Sequence, residues 1–103
     1  MDKFGALLNY SNPDKVNKNL KQYLKRFDID DIELYVSNRK DKKYMIQTPE
    51  GKWIHFGQMG YEDFTKHQNE ERRKKYLTRA TKIKGDWKKD PFSPNNLAIW
   101  LLW

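Results

Sequence analysis

Hydrophobic positions fall into distinct rhythms along the chain, and each rhythm predicts an element. Val16, Leu20, Leu24 and Phe27 recur at helical spacing, with Lys15, Lys18, Lys21 and Lys25 mostly off that stripe. This predicts a helix over about residues 13–27. Ser11-Asn12-Pro13 opens it, because Ser or Asn can cap and Pro is tolerated at the first helical position. Residues 1–12 read as a loose lead-in in which Phe4, Leu7, Leu8 and Tyr10 can pack. After Asp28 to Asp31 the period drops to two: Ile32, Leu34 and Val36 alternate with Glu33, Tyr35 and Ser37, the pattern of a half-buried strand. Asn38 to Asp41 is a turn, and Tyr44–Thr48 and Lys52–Phe56 are two more strands about Pro49-Glu50-Gly51. Three strands in an antiparallel meander are the simplest arrangement.

Gly57, Gly60, Tyr61 and Phe64 mark an ordered loop leaving the sheet. Asn69 caps a second helix over about residues 70–84, with Glu70 and Glu71 in its first turn and Lys82 and Lys84 in its last, as the helix dipole favours. Tyr76, Leu77, Ala80 and Ile83 form its apolar stripe, and Gly85-Asp86 breaks it. Residues 86–96 are a polar connector with two prolines, and residues 97–103 are an unbroken apolar tail. The predicted fold is α+β in one small domain spanning 1–103: an N-terminal helix, the three-stranded antiparallel meander, a basic helix and a short apolar C-terminal helix.

Composition narrows the possible chemistry. Charged residues make up 34% of the chain, yet aromatic residues make up 15%, and rings are what let so polar a chain bury area and stay ordered. The absence of Cys excludes disulfides, thiol nucleophiles and thiolate metal sites. His55 and His67 cannot close a zinc site alone. The apolar core of the first twelve residues is too short for a signal peptide and no segment approaches a membrane span, so a cytosol-like compartment is expected. The net charge of +7 calls for a polyanionic or acidic partner.

Several separated segments carry a resemblance: Lys43-Tyr44, Thr48 to Lys52, His55-Phe56-Gly57, Gly60 to His67, and Glu71 to Arg79. Together these resemble a family of small basic proteins of nucleocytoplasmic large DNA viruses, with KY, PEGK, HFG, GYEDFT and ERRKKY elements in order and a tryptophan-containing LLW close. The likeness runs over roughly residues 39–103. It implies a viral protein carried in the particle, present in the virion and in the host cytoplasm during infection. The family pattern often has His where Ala80 stands here, so no site built on that His carries over.

The basic helix is the strongest chemical feature. Arg72, Lys75, Arg79 and Lys82 recur at spacings that align four cations on one face, with Arg73 beside them. Residues 66–89 hold ten Lys or Arg against three acids, which accounts for the entire net charge. That asymmetry suits phosphate neutralisation. The bland alternative is a solvated helix with Glu70–Lys74 and Glu71–Lys75 pairs. Trp53, Phe56, Tyr61, Phe64, Tyr76 and Trp87 interleave with the charge; exposed rings could stack unpaired bases, but most are expected to be core. Ile54 and Phe56 share one strand face, with Trp53 and His55 on the other. His55, His67, Glu62, Asp63 and Asp86 form a weak acid–base or metal constellation, and Asp63 and Thr65 are better read as partners for loop backbone. No catalytic residue, cofactor or metal site is expected, and no small-molecule substrate.

In the tail, Ser93 and Pro94 start a helix that directs Leu97, Trp100 and Leu101 to the protein's own sheet and leaves Ile99, Leu102 and Trp103 to a partner. Two functions follow. One is a virion-associated protein that binds nucleic acid, DNA in the first instance, through backbone phosphates without reading sequence. The other is a minor capsid or core protein that cements other virion proteins through its basic face and apolar terminus.

Overall fold

The computed structural model describes residues 3–103 and is an α+β fold. Helices α1 (Lys3–Leu7) and α2 (Pro13–Arg26) precede a sheet of β1 (Tyr35–Val36), β2 (Lys42–Gln47) and β3 (Trp53–Gln58). Helices α3 (Phe64–His67) and α4 (Glu70–Ala80) follow, then a 3-10 turn (Trp87–Lys89), α5 (Pro94–Leu97) and a terminal π turn (Ala98–Leu102). The sheet is an antiparallel meander in the order β1-β2-β3, with Tyr44 opposite Phe56 and Ile46 opposite Ile54. Val16, Leu20 and Leu24 of α2, Tyr44, Ile46 and Phe56 of the sheet, and Leu97, Leu101 and Leu102 of the tail share one core.

Local chemistry accounts for the element boundaries. The Asn12 side chain accepts the Lys15 N–H, Pro13 takes the first helical position, and Ser11 is left free to turn inward. At the other end Asp28 adopts φ +54°, and the Asp28 and Ile29 N–H groups return to the Lys25 and Leu24 carbonyls, the bonding of a Schellman stop. Gly51, at φ +90°, closes the β2–β3 hairpin with its N–H on the Thr48 carbonyl.

Five expectations are corrected. The lead-in contains α1, whose Leu7 is fully buried; its first two positions lie outside the described residues. The strand expected over 32–37 alternates in burial as far as Val36, with Ser37 buried instead of exposed, and pairs only at Tyr35 and Val36; ahead of it Lys21 of α2 takes the Asp31 carboxylate (2.6 Å) and the Ile32 carbonyl (3.4 Å). Helix α4 stops at Ala80, four residues early. There the Thr81 hydroxyl bonds back to the Leu77 carbonyl and Asn95 Nδ2 occupies the Ala80 carbonyl, leaving Ile83 exposed. The polar connector is a built corner: Asn96 is buried and its amide donates to the Trp87, Lys88 and Asp90 carbonyls.

The fifth correction concerns the tail. Ser93 caps α5 through the Asn96 N–H and Pro94 starts it, as the sequence predicts. Beyond Leu97 the winding widens, and the Trp103 N–H bonds to the Ala98 carbonyl at 3.2 Å. With this i→i+5 turn Leu102 faces the core and Trp100 faces outward. Leu102 is 2% exposed and belongs to the core, while Trp100 is 42% exposed against Phe27 and Tyr23. Leu102 is therefore not a partner-binding residue, and Trp100 is not core. Ile99 and Trp103 are half-buried.

Leu102 also explains Gly57. This glycine has φ +82°, and a Cβ there would lie 2.9 Å from Leu102 Cδ1 and 3.1 Å from Lys43 Cβ. Gly57→Ala is expected to lose about 1–3 kcal/mol from strain and overpacking together. Gly60→Ala (φ +93°, open space around the added atom) should lose only the smaller backbone part. Urea midpoints of the two variants check this; equal losses would show that the close approach constrains nothing.

Candidate nucleic-acid interface

The site begins with a buried ion pair. Lys43 leaves β2 into the interior, where its Nζ lies 3.1 Å from Asp63 Oδ2, the two side chains being 2% and 1% exposed. Lys43 Nζ also reaches the Tyr10 carbonyl, and the Asp63 N–H donates to the same oxygen at 3.0 Å. The Thr65 hydroxyl donates to Asp63 Oδ1 and accepts the Asn12 N–H. Tyr44 OH donates to Ser11 Oγ at 2.6 Å, which in turn lies 3.3 Å from Thr65 Oγ1. Burial pulls the Lys43 pKa down against the opposing pull of Asp63, and pushes that of Tyr44 up. Residues of the KY and GYEDFT elements thus form one polar knot. It ties the start of α2 to β2 and to the start of α3, the helix that precedes α4, and every charge in it is engaged within the fold.

Beyond that knot α4 is held against the tail and α3. Trp103 stacks on Tyr76, with ring centroids 4.2 Å apart and planes within 9°. Arg73 Nε donates to the Trp103 carbonyl at 2.6 Å, and its guanidinium lies over Phe64 and near Glu70. Arg73, expected among the binding cations, is instead a clasp between α4 and the tail. Trp103 is likewise engaged within the fold.

An open cleft of about 590 Å³ lies beside this clasp. Arg72, Lys75 and Arg79 of α4 line it, together with Tyr61, Tyr76 and Trp103 and with Lys43, Gly57, Ala98 and Leu102 beneath. Three of the five expected cations therefore come together in one concavity. The i, i+3, i+7 spacing produces this, since it keeps side chains on one helix face. Lys82 falls in the turn after the helix has ended and does not line the cleft. The three cations are only loosely neutralised: Arg72 meets Glu62 at 3.2 Å and Lys75 meets Glu71 at 3.7 Å, both between exposed side chains worth little as pairs. Arg79 sits 5.7 Å from the Tyr76 ring centroid.

The weaker acid–base constellation disperses. His55 bonds Ser37 at 2.7 Å, Asp63 is spent on Lys43, and Glu62 faces Arg72. Among the described residues, no group of three or more His, Asp or Glu is placed to hold a metal ion. Trp53 is exposed against Tyr35 while Phe56 is buried, so the strand faces divide as the alternation indicates. Sequence reasoning missed the role of Lys43: the KY element singles the residue out, but nothing in the local pattern marks it as more buried than its neighbour Lys42.

His67 supplies a pH effect. Its Nδ1 accepts the Asn69 N–H at 2.9 Å, so the neutral ring carries its proton on Nε2, which is buried without a hydrogen-bond partner beside Trp103. Burial first, then Arg72, lowers its pKa, with Glu62 and Asp63 opposing. Burial and then Arg39 lower that of His55 in the same direction. A folded-state pKa below the unfolded value means the unfolded chain binds more protons, so stability is held above about pH 6.5 and falls as the pH drops toward the folded values. The melting temperature is expected to fall between about pH 7.5 and pH 5, and His55→Gln/His67→Gln should flatten that fall. An unchanged profile in the double variant would remove the histidines as its cause.

A model of a Family of unknown function (DUF5754) matches residues 32–80. That span takes in the sheet, Lys43, Asp63 and all of α4, and omits α2 and the tail. No curated protein and no solved structure matches the chain. Among the described residues, no helix is long and apolar enough to cross a membrane.

Proposed function

We propose that this is a virion-associated nucleic-acid-binding protein that grips backbone phosphates with one face of α4 and does not read sequence. It acts by binding, not by catalysis. The observation that carries this reading is the convergence of Arg72, Lys75 and Arg79 on a single ring-lined cleft, with only exposed, weakly pairing carboxylates beside them. A concave, aromatic, cationic surface concentrates polyanions and has somewhere to seat them. The viral setting, in the particle and in the host cytoplasm during infection, rests on the resemblance of the KY, HFG, GYEDFT and ERRKKY elements.

The test is binding of a DNA fragment by fluorescence anisotropy across a salt series. Three engaged phosphates give a log–log slope of about −2.7 on duplex or about −2.1 on single strands. A flat response, or no binding at low salt, would end this reading. A second reading, that the protein cements other virion proteins, draws on the exposed Phe27–Trp100 pair with Arg26 over the Trp100 ring. Cross-linking in purified particles, to shell proteins or to the genome, separates the two.

A further inference from the structure

Phosphate contact alone does not require rings, and a duplex does not require a concavity. The cleft has both. Tyr61 is 70% exposed on the loop between β3 and α3 and lines the cleft together with Arg72 and Lys75. The Tyr76–Trp103 stack forms a second, rigid aromatic surface in the same cavity. The concavity does not end at Tyr76. An adjoining one of about 510 Å³ shares Gly57, Gln58, Tyr76 and Ala98 with it and continues to Lys42, Lys84 and Trp87. A groove lined by both cations and rings suits an unpaired strand, in which each phosphate is followed by a base with an open face.

Resting on the phosphate-binding reading above, we propose that the groove is a single-strand site. Phosphates lie along Arg72, Lys75 and Arg79, and an unpaired base stacks on Tyr61. The paired bases of a duplex have no free face to offer, so the duplex gains only the phosphate contacts. The second cavity, with Lys84 and Trp87, accommodates the next part of the strand.

The experiment compares a labelled mixed-sequence DNA strand of about 12 nucleotides with the same strand annealed to its complement, by anisotropy at low salt. The single strand is expected to bind roughly tenfold more tightly, and Tyr61→Ala to remove roughly that factor from the strand while leaving the duplex unchanged. Tyr61→Phe, which keeps the ring, should retain the preference. Melting temperatures of both variants should match the parent, since this side chain is largely in solvent. Equal affinity for strand and duplex with no effect of Tyr61→Ala would overturn base stacking and leave phosphate binding standing. Salt-insensitive or absent binding to both would overturn the two together. Competition by a free mononucleotide as effective as the strand would assign the cleft to a small ligand and overturn the strand site.

Discussion

Asp63→Ala is expected to remove about 3–5 kcal/mol of stability, the largest loss we foresee from any single change. The reason is the state in which it leaves Lys43. With the carboxylate present, a buried ammonium has a counter-charge at 3.1 Å and the Tyr10 carbonyl at 3.3 Å. Without it, the cation stays in a space built for a pair, and the Thr65 hydroxyl loses its acceptor as well. A domain of this size has a total stability of about 5–15 kcal/mol, so the variant should be largely unfolded at modest urea. The double change Lys43→Met/Asp63→Leu removes both charges and should recover much of the loss, because an apolar replacement of a buried pair is often neutral. Urea unfolding of the three proteins decides it. If Asp63→Ala cost under about 1 kcal/mol, the pair would have to be hydrated in solution and the knot would not be a determinant of the fold.

This pair also marks where the sequence stops being legible. Features written in local chemistry were readable in advance: the Asn12-Pro13 start of α2, Asn69 before α4, Ser93-Pro94 before α5, and Gly51 in its hairpin. Each is decided within about four residues by which backbone groups need partners. Lys43 and Asp63 are twenty positions apart and meet only through the sheet and the loop after it. Neither residue signals burial, since a lysine on a strand is ordinarily solvated. The tail failed for a related reason. Seven apolar residues fit several helical phases equally well, and the choice was made by neighbours: Asn19 holds the Leu101 carbonyl and Arg73 holds that of Trp103. Those two bonds, both made by residues distant in sequence, fix the phase that buries Leu102 and exposes Trp100.

The same distinction between engaged and free cations governs the largest expected effect on binding. Arg72, Lys75, Arg79 and Arg73 are similar residues on one helix, and sequence alone treats them as one patch. The structure divides them. The first three face the cleft, whereas Arg73 is spent on Trp103, Phe64 and Glu70. Arg72→Gln/Lys75→Gln/Arg79→Gln should therefore weaken nucleic-acid binding by at least roughly tenfold at low salt and lower the salt slope by about 2 to 3, with the thermal midpoint nearly unchanged. The fold tolerates this because the three side chains are exposed and their carboxylate partners are too. Arg73→Gln should do the reverse. It frees the Trp103 carbonyl and loosens the Tyr76–Trp103 stack, so the melting temperature drops while the salt slope stays near the parent value. Measuring slope and midpoint for both proteins makes the comparison internal. If Arg73→Gln flattened the slope as much as the triple change does, the cleft would hold no special place and binding would follow the net charge of the helix alone.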